Sequence, residues 1–515
     1  MAPTLNFKFT IIFVLLTAMF YAQPPAIQWQ KTYGGSGLEE ASAVSQAPDG
    51  GFIAAGFTQS NNGDVSGNHG AKDAWVVKTT PSGSIAWQKT LGGTGDDEAL
   101  ALTKTPDGGY IIAGYTLSAN GDVPANHGRE DAWIIKLDAV GTIKWQHVLG
   151  GSYSDRATAV QSTSDGGCIV AGYMGSSDGD GVGNHGAIDG WLLKLSADGT
   201  IEWQKMIGGT AMDMFYSVAQ TADGGFIAGG TTASSDGQLA GGTATQNNYD
   251  SLAVKFDASG NIQWHKSLGG SSQDFTYSIL QGQNGGYFLT GYTVSPDVPG
   301  YHGNCDLWAA SLSPEGNVSW QKALGGSLID QGFQSLLCDN GDYMVAGFTG
   351  ANDGDVQGSH GNCDFWMLRL DSSGTVKWQK TMGGSLLDRA TCIAKTADNG
   401  YVLAGYTWSS DAQVTQSHGN DDFWMVRVLP ETGLSAQTFD SGKMVLFPNP
   451  AGESLSMDFP EGNSPVTISV YDFTGRLVIR QAENVKVDIS RLETGRYFVE
   501  AAAAEKRYRE SFFKK

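Results

Sequence analysis

The sequence predicts an all-β chain: a seven-bladed β-propeller of four-stranded blades, closed by the N-terminal strand, then a small Ig-like β-sandwich. Three observations predict it. A strand-like segment ending in tryptophan recurs at Trp29, Trp87, Trp145, Trp203, Trp264, Trp320 and Trp378, at intervals of 58, 58, 58, 61, 56 and 58 residues, and such a period marks a repeat architecture. Each unit contains four short strand candidates separated by turn residues. The repeats also begin and end out of phase.

The second unit shows the parts in order: Trp87-Gln-Lys-Thr-Leu-Gly-Gly, then ALALTKT, then PDGGYIIAGYT, then DAWIIKLDAVGTIKW. Pro-Asp-Gly-Gly and Asp-Ala-Val-Gly are short hairpin signals. Four antiparallel strands per unit, seven times over, is the propeller pattern. The segment before Pro-Asp-Gly-Gly is the innermost strand, and its residues are often small, as crowding near an axis requires. The array opens on a lone Trp strand, Ile27–Lys31, and closes on a strand lacking a partner, Asp422–Arg427. Joining them completes the seventh blade and removes both exposed edges.

Ahead of the repeats, Lys8, an apolar run from Phe9 to Phe20 and Ala22 read as a signal peptide over residues 1–22, too short to span a bilayer comfortably. The mature chain carries no transmembrane segment. The propeller is expected over residues 24–428, a polar linker over 429–443, and a second domain over 444–515. Within that domain, Val466–Tyr471, Leu477–Arg480 and Arg496–Glu500 read as strands of a small sandwich.

The charge balance, 32 Lys+Arg against 53 Asp+Glu, argues against nucleic acid or anionic lipid as the main partner. Cys168, Cys305, Cys338, Cys363 and Cys392 are odd in number and scattered, so they form neither a disulfide framework nor a metal motif.

The Gly-Gly loops and the long Asn-Gly-Asp-Val…Asn-His-Gly loops should share one face, the default binding surface. Five residues after the first glycine of each Gly-Gly loop stands a carboxylate: Glu39, Asp97, Asp155, Asp213, Asp274, Asp330 and Asp388. Seven acids could ring the channel mouth and bind a cation or a polyhydroxylated ligand; equally, each could accept N–H bonds in its own turn. Histidines 69, 127, 185, 302, 360 and 418 each precede an aspartate by four residues, which reads as a loop-pinning hydrogen bond, because no serine nucleophile recurs with them. Asp178, Asp180, Asp353 and Asp355 lie in oxygen-rich loops that calcium would suit, although no EF-hand glutamate follows and solvated turns explain them too. No other cofactor is implied.

The fourth repeat departs from the rest. Its long loop lacks histidine, and Leu252 replaces the recurring tryptophan, which makes Tyr249 a candidate ligand contact. Trp408 is extra to the thirteen register tryptophans and stands at a strand exit, where it could stack on a sugar or simply pack. No catalytic residue is assigned.

The DxWxxKLDxxGxIxWQK segment resembles quinoprotein-like propeller repeats. The Gly-Gly doublets are kelch-like, though the aromatic spacing is not. The closer resemblance, over roughly residues 24–430, is to propeller repeats of exported Bacteroidetes proteins, some relatives of which carry glycosidase-like labels. Residues FPNPA, VYDFTGRLV, VDISRLETGRYFVE and the terminal FFKK resemble the type A C-terminal sorting domain of the type IX secretion system. That resemblance implies recognition by the secretion machinery through residues 444–515, and release or attachment at the outer surface. The reading is therefore a secreted or surface propeller, a non-catalytic binding module for a glycan or an envelope protein on its loop face. The alternative is a polysaccharide-active glycoside hydrolase using top-face carboxylates.

Overall fold

The computed structural model describes residues 24–244, 248–431, 444–458, 467–472, 476–482, 486–503 and 506–515. The expected signal peptide and most of the expected linker lie outside the described residues. The chain divides into two compact units, Met1–Glu431 and Thr432–Lys515.

The first unit is a propeller of seven four-stranded antiparallel sheets. Blade 1 runs from the innermost strand Glu39–Gln46 through Phe52–Thr58 and Asp73–Thr79 to the outer strand Ile85–Leu91. The innermost strands of blades 2 to 6 are Asp97–Lys104, Asp155–Ser162, Asp213–Gln220, Asp274–Gln281 and Asp330–Leu337. Blade 7 comprises Asp388–Lys395, Tyr401–Thr407, Asp422–Val428 and, from the other end of the chain, Ile27–Tyr33, with Thr32 opposite Trp424 and Gln30 opposite Val426. Blade 7 also meets blade 1 as other neighbours meet. Thr391 Oγ1 donates to Ala41 O at 2.6 Å, just as Thr158 Oγ1 donates to Phe215 O at 2.7 Å between blades 3 and 4.

Each recurring residue has a packing reason. The second and third strands of blade 1 are buried at every position, so they read as continuous apolar runs rather than alternating ones. The tryptophans of the third strands, Trp75, Trp133, Trp191, Trp308, Trp366 and Trp424, are among the largest fully buried side chains. Their indole N–H needs an acceptor there, and the Gln of the Trp-Gln-Lys segment supplies it: Trp133 Nε1 donates to Gln146 Oε1 at 2.8 Å. In blade 7 the pair is Trp424 and Gln30, also at 2.8 Å, drawn from opposite chain ends. Blade 4 loses both partners together, with Leu252 in place of the indole and His265 in place of the amide.

The third-strand lysine follows the same logic. Lys78, Lys136, Lys194 and Lys255 are nearly buried, and each ammonium pairs with the aspartate of its own blade's first hairpin, as Lys78 does with Asp49 at 2.7 Å. Arg427 and Asp398 serve blade 7. In blade 5 both charges vanish at once, as Ser311 and Asn284. The glycine near the end of each second strand is required by a bulge in the innermost strand: a Cβ on Gly114 would stand 1.8 Å from the carbonyl oxygen of Glu98.

The second unit is a small β-sandwich. Val445–Phe447, Ser454–Asp458 and Lys486–Asp488 form one sheet; Leu477–Ala482, Thr467–Asp472, Gly495–Ala503 and Lys506–Lys514 form the other, in that order. Leu455, Met457, Ile468, Val470, Val487 and Val499 belong to its core. The two end motifs meet: Asn449 accepts from Phe513 N at 3.0 Å and donates to Ser511 O at 3.2 Å, while Ala451 N donates to Phe513 O at 2.8 Å.

Candidate functional site at the channel mouth

The Gly-Gly loops and the long loops lie against one another on one face: Asp122 N donates to Gly92 O at 2.9 Å, and Thr94 N to Asn120 Oδ1 at 2.9 Å. The repeated polar residues are used up in holding this face together. Glu39, Asp97, Asp155, Asp213, Asp274, Asp330 and Asp388 are all 0% exposed. Asp97 accepts from Gly93 N at 2.8 Å, from Ser118 Oγ at 2.7 Å and from Thr116 Oγ1. The other six also accept an N–H from the second glycine of their own loop. The structure thus places the seven carboxylates inside turns, not around the mouth. Burial pushes the pKa of Asp97, Asp155, Asp274, Asp330 and Asp388 above the ordinary carboxyl value, against the lowering effect of these hydrogen bonds. A signal was present in the sequence: Thr-x-Ser recurs in step with the acid, as in Thr58-Gln-Ser60 and Thr407-Trp-Ser409.

The histidines behave similarly. His69, His127 and His185 hold Asp73, Asp131 and Asp189 through Nδ1 at 2.6–2.9 Å and through their own backbone N–H. These aspartates are fully buried. In the calcium candidates, Asp178 accepts from Ser152 N at 2.9 Å and Asp353 from Ser327 N at 2.8 Å, the bond that a neutral Asn120 makes to Thr94 in blade 2. Asp180 and Asp355 accept from Gly150 N and Gly325 N. Among the described residues, no group of three or more His, Cys, Asp or Glu is placed to hold a metal ion. Trp408 is 47% exposed on the loop face. Tyr249 is half-buried, its ring 5.8 Å from that of Phe275. Residues 245–247 of its loop lie outside the described residues.

What remains to meet a ligand is the channel itself, about 840 Å³, lined by the innermost strands of all seven blades. Its positions break the sevenfold pattern. The residue three after each turn carboxylate is Ser42, Leu100, Thr158, Tyr216, Tyr277, Phe333 or Thr391. Blades 4 to 6 therefore present an aromatic arc: Tyr277 packs against Phe333 at 5.0 Å and Tyr216 at 5.5 Å, and Phe275 stacks on Tyr292 at 4.7 Å. Burial raises the phenol pKa of Tyr216, Tyr277 and Tyr292, so all three stay protonated at neutral pH. Of the tyrosines lining the channel, Tyr173 and Tyr277 make no hydroxyl hydrogen bond among the described residues.

On the other side the blade junctions are charged, and of their side chains Arg156 lines the channel. The residue directly after each turn carboxylate meets the residue preceding the third strand of the blade before it. Lys72 pairs with Glu98 at 2.6 Å, and Glu130 with Arg156 at 2.7 and 2.8 Å in a two-pronged contact. Further junctions bring Tyr249 to Phe275 and Cys305 to Gln331, whose Nε2 lies 3.4 Å from the sulfur. At the seam between blades 7 and 1, Asp421 meets Glu40. Burial, then Asp421, raises the Glu40 carboxyl to about 7. Burial, then Asp422 and Glu39, raises Asp421 to about 6.

Comparison with known proteins bears on the second unit. Residues 445–515 match the family described as secretion system C-terminal sorting domain. This is the signal of the type IX secretion system, so the chain is cargo bound for the cell surface or beyond. No helix among the described residues is long and apolar enough to cross a membrane. A stretch of 150 residues, 26% of this chain, is 27% identical to the regulatory protein FlaEY of Caulobacter vibrioides, and covers 15% of that protein's length. Among solved structures, a fungal alcohol oxidase of the AA5 family in complex with copper is similar at a TM-score of 0.44, with 12% identity over 95% of this chain and 99% of that one. Sqt1 from Chaetomium thermophilum is similar at 0.37, with 12% identity over 78% and 100%. The extracellular domain of BT4673 from B. thetaiotaomicron is similar at 0.34, with 10% identity over 92% and 68%. At these scores the likenesses do not bear on activity.

Proposed function

We propose that this exported propeller is a non-catalytic binding module that receives its ligand at the loop-face mouth of the channel. One observation carries the reading. The repeated acids and histidines are consumed in turns, whereas the positions facing the channel differ from blade to blade, with an aromatic arc on one side and charged blade junctions on the other. A channel of this volume, with aromatic rings on one side and many hydroxyl, amide and charged side chains elsewhere, suits a small polar ligand or a chain end. Ring faces beside unpartnered phenol hydroxyls favour a polyhydroxylated guest, a sugar ring above all.

The hydrolytic alternative draws on Glu40 and Asp421, since a carboxyl with a raised pKa is what a general acid needs. A glycan array read with the full chain, beside a reducing-sugar release assay, separates the two. Binding without release, weakened about tenfold in Tyr277→Ala, supports the module. Release that is lost in Glu40→Gln supports the hydrolase. No glycan bound and no sugar released would refute both.

A further inference from the structure

The charged junctions contain an internal example of how this frame holds a cation. Between blades 2 and 3, Arg156 gives two hydrogen bonds to Glu130, and its guanidinium lies 4.1 Å over the ring of Tyr115. Glu130 stands just before the third strand of blade 2, and Tyr115 next to last in its second strand. The backbone frame is fixed by Asp155 N donating to Glu130 O at 2.6 Å.

The seam between blades 7 and 1 repeats that frame residue for residue. Asp421 stands where Glu130 does, Tyr406 where Tyr115 does, and Glu39 N donates to Asp421 O at 2.9 Å. The guanidinium is missing, because the position of Arg156 is taken by Glu40. Each of the charged junctions between blades 1 and 3 pairs opposite signs; this one pairs two acids. Asp421 is 5% exposed, and its Oδ1 has no hydrogen-bond partner. Among the described residues, the Glu40 carboxyl accepts no hydrogen bond. Lys72, the nearest ammonium to act on Glu40, is already bonded to Glu98 and lies 4.1 Å over Phe57. Arg389 lies over Phe348 at 4.4 Å and donates to the Tyr406 hydroxyl, so that the ring face of Tyr406, not its hydroxyl, is what the seam offers.

We infer that the seam is a receptor for a guanidinium or ammonium group of the ligand, seated between Glu40 and Asp421 against the ring of Tyr406. The inference extends the channel-mouth reading and rests on it. A guest cation would supply what Arg156 supplies two junctions away: charge-assisted hydrogen bonds to a buried carboxylate and stacking on an aromatic face. Two carboxylates are too few for calcium, which takes six to eight oxygens, but they match one organic cation. The groups facing Glu40 are Asp421, Lys72, Glu98, Arg389 and Tyr406. A guest favours the ionised acids, so affinity rises as pH passes upward through the range in which Glu40 and Asp421 lose their protons.

The test titrates the full chain with an arginine-containing peptide, with a glucosamine oligomer and with calcium chloride alone, at pH 5 and pH 8. The two organic probes distinguish a basic side chain from an amino sugar as the source of the cation. At least one should bind, more tightly at pH 8, and about tenfold more weakly to Glu40→Gln. Glu40→Arg should fill the cradle from within, abolish binding and leave the melting temperature unchanged or raised. If that variant misfolds, Glu40→Gln and Asp421→Asn carry the test. Failure of both organic probes to bind, equal binding by parent and variants, or calcium binding that neither probe displaces would overturn the inference. Glycan binding that Tyr277→Ala weakens but Glu40→Arg spares would overturn the seam alone, whereas absence of any glycan or cation ligand would overturn the channel reading with it.

Discussion

Replacing Gln30 by alanine probes the seam where the two chain ends meet, and Gln88→Ala is its matched control. Each substitution removes the acceptor for one fully buried indole N–H, Trp424 or Trp75, from a hydrogen bond of 2.8 Å. Leaving a buried donor unpaired costs about 1–3 kcal/mol. Blade 5 argues for the lower half of that range, since its Trp308 Nε1 already lacks a partner. The two sites differ in topology. The outer strand of blade 1 is joined within one continuous stretch to its blade, whereas Ile27–Tyr33 reaches blade 7 from the opposite side of the sequence, held there by its pairing with Asp422–Val428 and by contacts such as Gln30 to Thr415 at 2.5 Å. The loss should therefore appear as local opening at the seam. With about 1.4 kcal/mol per factor of ten, amide exchange within Asp422–Val428 should quicken roughly 5- to 30-fold in Gln30→Ala. In Gln88→Ala, exchange in Asp73–Thr79 should change far less. Equal quickening at both places, or none at the seam, would refute the view that the propeller opens first where its ends join.

Two further outcomes follow from the charges. Glu40, Asp421 and Asp306 have carboxyls raised to about 7, about 6 and about 6, chiefly by burial, so their protonated forms favour folding. That stability is complete below the ordinary carboxyl values and is lost as pH rises through about 6 to 7. Asp107, held to about 2 by hydrogen bonds from Lys136 and Thr105, acts in the opposite sense and loses its contribution as pH falls from about 4 toward 2. The melting temperature should peak between these ranges, and Glu40→Gln should flatten the alkaline side; an unchanged alkaline slope would contradict the assignment. Separately, Asp223→Asn strands the ammonium of Lys255, which is 3% exposed, and should cost about 1–3 kcal/mol in denaturant unfolding. Adding Lys255→Ser copies blade 5 and should recover part of that loss; strict additivity of the two changes would show that the pair is not coupled.

The propeller was legible because its determinants are local and repeated. Turn chemistry at Pro-Asp-Gly-Gly marks each first hairpin, and the out-of-phase ends assign Ile27–Tyr33 to the last blade. The partners of the repeated residues were less legible, since they lie a fixed distance apart only after the strands pair. Trp133 and Gln146 are thirteen residues apart, Lys136 and Asp107 twenty-nine, and neither spacing has the period of a helix or a strand. The blades that fail are more informative here than those that conform. Leu252 with His265, and Ser311 with Asn284, are lost as pairs, which identifies the contacts without coordinates.

The channel was the part that sequence reasoning missed, and the reason is physical. Repetition draws attention to residues that every blade needs, and a residue needed by every blade is occupied by that need. Asp97 has its hydrogen bonds met by Gly93, Thr116 and Ser118, so little remains for it to offer a ligand. The positions that vary, Glu40 through Arg389 and Ser42 through Thr391, are relieved of that duty because a bulged innermost strand turns them to the axis, where a blade folds whatever side chain stands there. Variation there carries little folding cost, so it is free to follow a ligand. The seam adds one more asymmetry. Ring closure places Glu40 against Asp421, residues 381 apart in the chain, and no local pattern would have joined them. A propeller built from near-identical blades is thus most individual where its ends meet and along its axis.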